Sequence, residues 1–456
     1  MNKLMNSGSK WLTGLAAMLV AGLAGLGCYS CSSQSYEGKI VAVEQTVGGL
    51  SGEGATLVVL DPEKPGDTGK VLLKEFQSAC APSLSHDGRY LVFQGKEKAE
   101  DPWQIWVLDL KKGSRTRITQ LEENCTSPLV LPDLTVLFSR EETVKGKQVM
   151  DLWRTGMDGC CLTRVTYDPS ENKCTGILKE GRVLYYSTQE YPESKEAVLM
   201  VMRPDGTKAE VYTPGGKGMV PANGGSESPD GHVYFISGPG KLSRVLHHRP
   251  LHTFEDLSGN MAGSFASVYA VQDGSILVSY RPSGNEAYGI YTFVPGSDDA
   301  PSLLFSGEKD LTDPLLISHP EGRPRILPSA VNPGNPSGLL MSQDINHSMI
   351  PVHEGIRGDT LASRIRISTL DGELAQVEVK KDGSFYLKLD ADTPFRMEAL
   401  NSQGEILRGP SDWIYLRPGE RRACTGCHAD PELAPENIQP LAVREDPVVL
   451  ATMKTQ

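Results

Sequence analysis

The sequence predicts an all-β chain, a six-bladed β-propeller followed by a small β-sandwich-like domain. Three observations carry that prediction. From about Gly38 to Asn335 no stretch sustains helical periodicity, while short runs rich in Val, Ile, Leu, Tyr and Phe recur between Asp-Gly, Pro and Gly turn signals. The runs repeat at the length of one four-stranded blade, since Trp106 to Trp153 is 47 residues and Gly231 to Gly274 is 43. Past Pro336 the repeat stops, and five strand-like runs crowd into about 55 residues.

The amino terminus reads as an export signal. Lys3 and Lys10 precede an uncharged run of 17 residues from Trp11 to Gly27, short for a membrane span, and the run ends at Cys28. Gly27-Cys28 is similar to a bacterial lipobox, which makes Cys28 a candidate for lipidation; Leu26 and Gly25 depart from the usual order, so cleavage without an anchor and an uncleaved helix stay open. Residues 28–37 then form a Ser-rich tether. The expected location is the periplasm, free or lipid-anchored. Of 456 residues, 45 are Lys or Arg and 57 Asp or Glu, for a formal charge of −12 that becomes −14 without residues 1–27. Such a chain repels nucleic acid and anionic membrane surfaces, leaving a lipid anchor as its one membrane contact.

The propeller spans residues 38–335. Its clearest repeat runs from Ala81-Pro82-Ser83 through His86-Asp87-Gly88 to Tyr90-Leu91-Val92-Phe93, then Ile105 to Leu110, and closes on Arg117-Ile118-Thr119. With a weaker start at Lys39–Val43 and Thr56–Asp61, the count is six. Ser228-Pro229-Asp230-Gly231 before an aromatic-rich strand resembles the turns of TolB-type and WD-like repeats. Trp103, Trp106 and Trp153 fit blade packing. Lys241, Arg244, His247, His248, Arg249 and His252 form a basic, His-rich cluster expected in a solvated inter-blade loop. Cys80, Cys125 and Cys174 precede the first strands of successive repeats, 45 and 49 residues apart; they are expected at the channel mouth, as buried thiols or as ligands of a second metal such as zinc. Cys160-Cys161 has no assigned role, and the disulfide state of these cysteines and of Cys31 stays open.

In the second domain, residues 336–456, strands are expected at Arg364–Ser368, Gln376–Lys380, Ser384–Leu389, Phe395–Leu400 and Trp413–Leu416. It carries Cys424-Thr425-Gly426-Cys427-His428. Two thiols at this spacing receive the vinyl groups of haem, and the adjoining imidazole suits the iron. A half zinc site would want a second Cys-x-x-Cys, and a thioredoxin-like pair would want a βαβ setting; the sequence offers neither. Cys424 and Cys427 are therefore the candidate attachment sites of one haem c, and His428 the candidate iron ligand.

The stretch from about Gly338 to Val449 resembles the haem-bearing middle domain of the hydrazine synthase alpha subunit family. The matching residues are Lys381-Asp382-Gly383-Ser384-Phe385, Ala391-Asp392-Thr393-Pro394, Arg417-Pro418-Gly419-Glu420, the Cys-x-x-Cys-His and Asp430 to Asn437. The resemblance implies a sandwich after a propeller, with Cys424 and Cys427 as thioether sites and His428 as a metal ligand. In that family the motif histidine serves zinc and a tyrosine shortly afterwards binds iron, whereas here no tyrosine follows Tyr415 and the fourth residue beyond His428 is Glu432. Met341, His347, Met349 and His353 supply candidates for the opposite iron face. The sequence thus leads to an exported mono-haem c-type cytochrome with histidine-ligated, low-spin iron, transferring electrons to a redox partner or within a complex. The alternatives are a synthase-like haem enzyme subunit with an open iron site and a non-redox binding propeller. Hydrolase and nucleotide-binding motifs are absent from the sequence.

Overall fold

The computed structural model describes residues 35–49, 52–66, 69–188, 197–213, 224–259, 261–284, 286–297, 300–318, 322–427, 429–433 and 437–451. The expected export signal, Cys28, Cys31 and His428 lie outside them.

Among the described residues, six four-stranded antiparallel sheets form the propeller. The second blade shows the rule: Ser78–Leu84, Tyr90–Lys96, Gln104–Asp109 and Arg115–Arg117 pair in chain order from the centre outward. Its middle strands alternate large apolar residues buried on both faces, because each blade is sandwiched between two others. Third to sixth blades repeat this, starting at inner strands Cys125–Val130, Asn172–Ile177, Gly224–Glu227 and Ser264–Ala270. The first blade is different. Ile40–Gln45 begins it, yet its innermost strand is Asp310–Leu316, more than 260 residues later, so the two ends of the propeller clasp in one sheet. Each inner strand neighbours the next, and the last returns to the second blade, which closes the ring.

Every inner strand carries a register shift at its middle. At Ala81, Ser127 and Asp313 the backbone has φ near +50° with proline next in the chain, a bulge that turns the strand at the channel wall. Hydroxyls tie neighbouring blades there: Ser83 Oγ accepts the Val130 amide (3.0 Å), Ser226 Oγ that of Ala270 (2.9 Å) and Ser267 Oγ that of Asp313 (2.8 Å). Gly176 has to be glycine, because a Cβ would lie 2.0 Å from the carbonyl oxygen of Gly225 in the next blade. The strands enclose a central cavity of about 710 Å³.

The bulges also explain the three propeller cysteines. The last paired residues before the shift are Cys80, Thr126 and Cys174, so Cys125 stands one residue earlier and points to the opposite face. Cys125 is buried between blades with Phe138 and Ile105, Cys80 packs with Trp103 and accepts from Gln94 Nε2 (3.2 Å), and Cys174 lines the cavity. The expectation that all three face the channel mouth is corrected accordingly. Burial pushes the Cys80 and Cys125 thiols up to about 12 and raises Cys174 as well, so they are neutral at pH 7.

The second domain is a sandwich of two four-stranded sheets. One runs Gly372–Glu378, Arg364–Thr369, Phe395–Leu400, Ile406–Arg408, all antiparallel. The other runs Arg421–Gly426, Ser337–Asp344, Phe385–Asp390, Val448–Leu450, and both of its outer pairings are parallel. Leu340, Ile365, Ile367, Leu387, Phe395 and Leu407 fill the space between them. Trp413–Leu416, expected as a strand, makes only one bridge, Phe395 to Ile414. Of Gln376–Lys380, only Gln376–Glu378 is strand, the end of one that starts at Gly372. Propeller and sandwich form one compact unit.

Candidate haem-attachment site

Cys424 sits on the edge strand of the sandwich, presented by a turn and a parallel neighbour. Arg417-Pro418-Gly419-Glu420 is a β-turn in which the Glu420 amide donates to the Arg417 carbonyl (2.8 Å) and Gly419 takes φ +76°, the position that selects glycine in a Pro-Gly turn. The following strand, Arg421–Gly426, pairs in parallel with Ser337–Asp344 so that Leu340 meets Arg422, Met341 meets Ala423 and Ser342 meets Cys424. Arg-Arg-Ala-Cys has little intrinsic strand preference, so pairing is imposed by tertiary context.

Glu420 holds this edge. Its side chain is 2% exposed. Oε2 accepts the Arg417 amide (2.9 Å), while Oε1 accepts Arg422 Nη2 (2.9 Å) and the amide of Lys208 (3.0 Å), which belongs to a propeller turn 212 residues away. Lys208 Nζ also donates to the Arg421 carbonyl (2.5 Å). The guanidinium groups of Arg164 and Arg417 lie over the ring of Tyr167, each 4.7 Å from its centre, and Tyr415 packs against that ring at 5.8 Å. Burial drives the phenols of Tyr415 and Tyr185 well above their usual value. None of Lys208, Tyr167, Tyr185 or Tyr415 was marked by the sequence as part of a site, because each acquires its role from a residue hundreds of positions distant.

Cys424 and Cys427 are free thiols, half-buried against the sandwich core. Burial raises both, Cys427 to about 11, with Arg422 lowering Cys424 and Arg408 lowering Cys427 in part. They are thus protonated at neutral pH, the form whose S–H adds across a vinyl group. Ser342 Oγ, opposite Cys424 on the ladder, is buried without a hydrogen-bond partner, a polar atom awaiting one. Two uncommitted, protonated thiols three residues apart beside an unsatisfied hydroxyl fit a covalently attached haem.

The candidate axial residues separate. Met341 registers with Ala423 and so faces away from Cys424. His347 is exposed, but its carbonyl crosses the motif: a Cβ on Gly426 would lie 2.1 Å from it. Met349 is 71% exposed, and His353 is exposed with its amide donating to Leu407 (2.9 Å). The basic cluster is not a free loop. His252 and Arg249 meet Asp430 and Glu432, the acids that follow the motif. Among the described residues no three His, Cys, Asp or Glu side chains gather as a metal-ligating group, and Cys80, Cys125 and Cys174 fall in three separate packing clusters.

Fold and site together define a class of protein, a six-bladed propeller bearing a β-sandwich with paired cysteines on its edge strand. Residues 349–429 match the family described as the hydrazine synthase alpha subunit middle domain. The hydrazine synthase alpha subunit of Kuenenia stuttgartiensis is 21% identical over 493 residues, an alignment covering 79% of this chain and 61% of that one. The chain therefore spans about three fifths of the length of this curated relative. Among solved structures, Kuenenia stuttgartiensis hydrazine synthase superposes with a TM-score of 0.75 at 18% identity, covering 90% of this chain and 71% of the other. TolB from Acinetobacter baumannii gives 0.44 at 18% identity over 61% and 66% of the two chains. The resemblance read from the sequence and the all-β propeller fold are both borne out.

Proposed function

We propose that this chain is an exported, haem-bearing subunit of a redox enzyme complex, built on the plan of the hydrazine synthase alpha subunit. One haem c would be held by Cys424 and Cys427 and ligated by His428, with an iron face open to small nitrogen or oxygen species. The observation that carries this reading is the position of the two free thiols, on the sandwich edge and inside the 349–429 match, in a chain whose fold follows hydrazine synthase over 90% of its length. A bound haem supplies an iron that exchanges electrons and takes up small ligands. This chain's residues anchor and orient it: the thiols by thioethers, Glu420 and Arg422 by fixing the strand that carries Cys424, and the Asp344–His347 turn by crossing Gly426.

An open face is favoured over the electron-carrier alternative because Met341 faces away from Cys424, and the side chains of His347, Met349 and His353 are exposed to solvent, although the His347 backbone crosses the motif at Gly426. Glu432, at the place of the family's tyrosine, is engaged by the propeller.

Denatured protein produced with haem-maturation machinery should retain one haem per chain, and Cys424→Ala with Cys427→Ala should lose it. The ferric protein should give a high-spin EPR signal that converts on adding cyanide. A colourless wild type refutes haem attachment, and a low-spin signal indifferent to cyanide restores the electron-carrier reading.

A further inference from the structure

Asp430 and Glu432 are turned inward on the fifth blade. His252 Nε2 donates to Asp430 Oδ2 (2.5 Å), and the Leu251 amide donates to Glu432 Oε1 (2.7 Å). Asp430 Oδ1 accepts the Glu432 amide (2.8 Å), which ties the two acids together. Glu432 Oε2 is buried without a hydrogen bond and faces Arg249 Nε at 3.8 Å and His252 Nε2 at 3.9 Å. The carboxylate side chains are 4% and 13% exposed, a burial that carboxylates tolerate only against matched partners. The loop that meets them is braced: Thr253 Oγ1 donates to the Arg249 carbonyl (2.7 Å) and accepts the Leu246 amide (2.8 Å).

We propose that His252 is a positioning residue of the haem site, fixing, with Leu251 and Arg249, the Asp430–Glu432 segment that follows the attachment motif, so that the propeller braces the carboxyl side of the two thiols. Outer residues that orient ligand-bearing segments tune a metal centre without touching it. The inference rests on the reading that Cys424 and Cys427 carry haem.

The test uses the full chain, matured with haem, as wild type, His252→Ala and His252→Gln. His252→Ala should keep one covalent haem per chain while shifting the reduction potential and the ferric spectrum. It should also raise the rate of proteolytic cleavage just after the motif by at least about tenfold, the effect of losing one hydrogen bond to a buried charge. Glutamine, which keeps a donor, should restore most of both. Haem-loaded His252→Ala with the wild-type spectrum, potential and cleavage rate overturns the proposal and leaves haem attachment standing. If the wild type takes no haem, attachment falls instead, and the cleavage rates alone decide whether His252 holds the segment. Should His252→Ala fail to fold, Arg249→Gln, at a side chain 54% exposed, should shift the same readouts in the same direction, and no shift overturns the proposal.

Discussion

The propeller and the sandwich are both all-β, but they are held in different ways. Within every blade each strand pairs with one adjacent in sequence, the single exception being the clasp between Ile40–Gln45 and Asp310–Leu316. The sheet that carries Cys424 joins strands beginning at 337, 385, 421 and 448, two of its three pairings are parallel, and its key carboxylate is shared with a propeller turn. The blades are therefore built from local pairings and packed face to face, while the attachment edge is a joint product of both halves of the chain.

Glu420→Ala should break that joint most severely. It leaves the largely buried Arg422 guanidinium without its anion, a loss of about 3–5 kcal/mol in denaturant unfolding. Glu420→Gln, whose single amide oxygen can still accept from one of the Arg417 and Lys208 amides, should cost less, and equal effects would show that the charge is immaterial. Next come two glycines with the same steric role in different regions. In Gly426→Ala and Gly176→Ala the new Cβ meets a carbonyl oxygen at 2.1 and 2.0 Å, for roughly 2–4 kcal/mol each. Only Gly426→Ala should abolish haem attachment, as read by haem stain on denaturing gels; loss in both would mean that the propeller is not an independent scaffold.

A buried acid within a single blade affects stability without touching the attachment edge. Burial pushes Asp151 up to about 7 from a usual 3.8, against the pull of Arg164. The folded state keeps a proton that the unfolded chain has already lost, so this group's contribution to stability is full below about pH 4 and disappears as pH rises through 7, by at most about 1.4 kcal/mol per unit. Asp151→Asn should flatten that decline in melting experiments, with haem loading unchanged.

The contrast between the regions also explains what could be read from the sequence. Asp87-Gly88, Pro204-Asp205-Gly206 and Asp230-Gly231 mark local hairpins, so blade count and period were legible. Parallel pairing leaves no such mark. Ser337–Asp344, Arg421–Gly426 and Val448–Leu450 were missed because no turn announces their partners, whereas Phe395–Leu400, an antiparallel strand with local neighbours, matched residue for residue. Cys424 and Cys427 were legible from spacing alone. The partners of Glu420 and Asp430 were not, since complementarity between residues 178 to 212 positions apart has no local signature. Cys125 was misplaced by one residue, the step that separates the two faces of a strand.

Chain synthesis delivers the two halves of the clasp at opposite ends of the propeller. Ile40–Gln45 emerges early and must wait for Asp310–Leu316 before one of its edges is covered. During that interval the nascent chain presents an unpaired apolar edge, the kind of surface that chaperones shield and that aggregates when they do not. The cysteines at 424 and 427 emerge later still, so the ring can be complete before the last partner of its neighbour's edge exists. Truncations that stop short of residue 316 should consequently accumulate as insoluble material, while those that stop just beyond it should be recovered as folded rings.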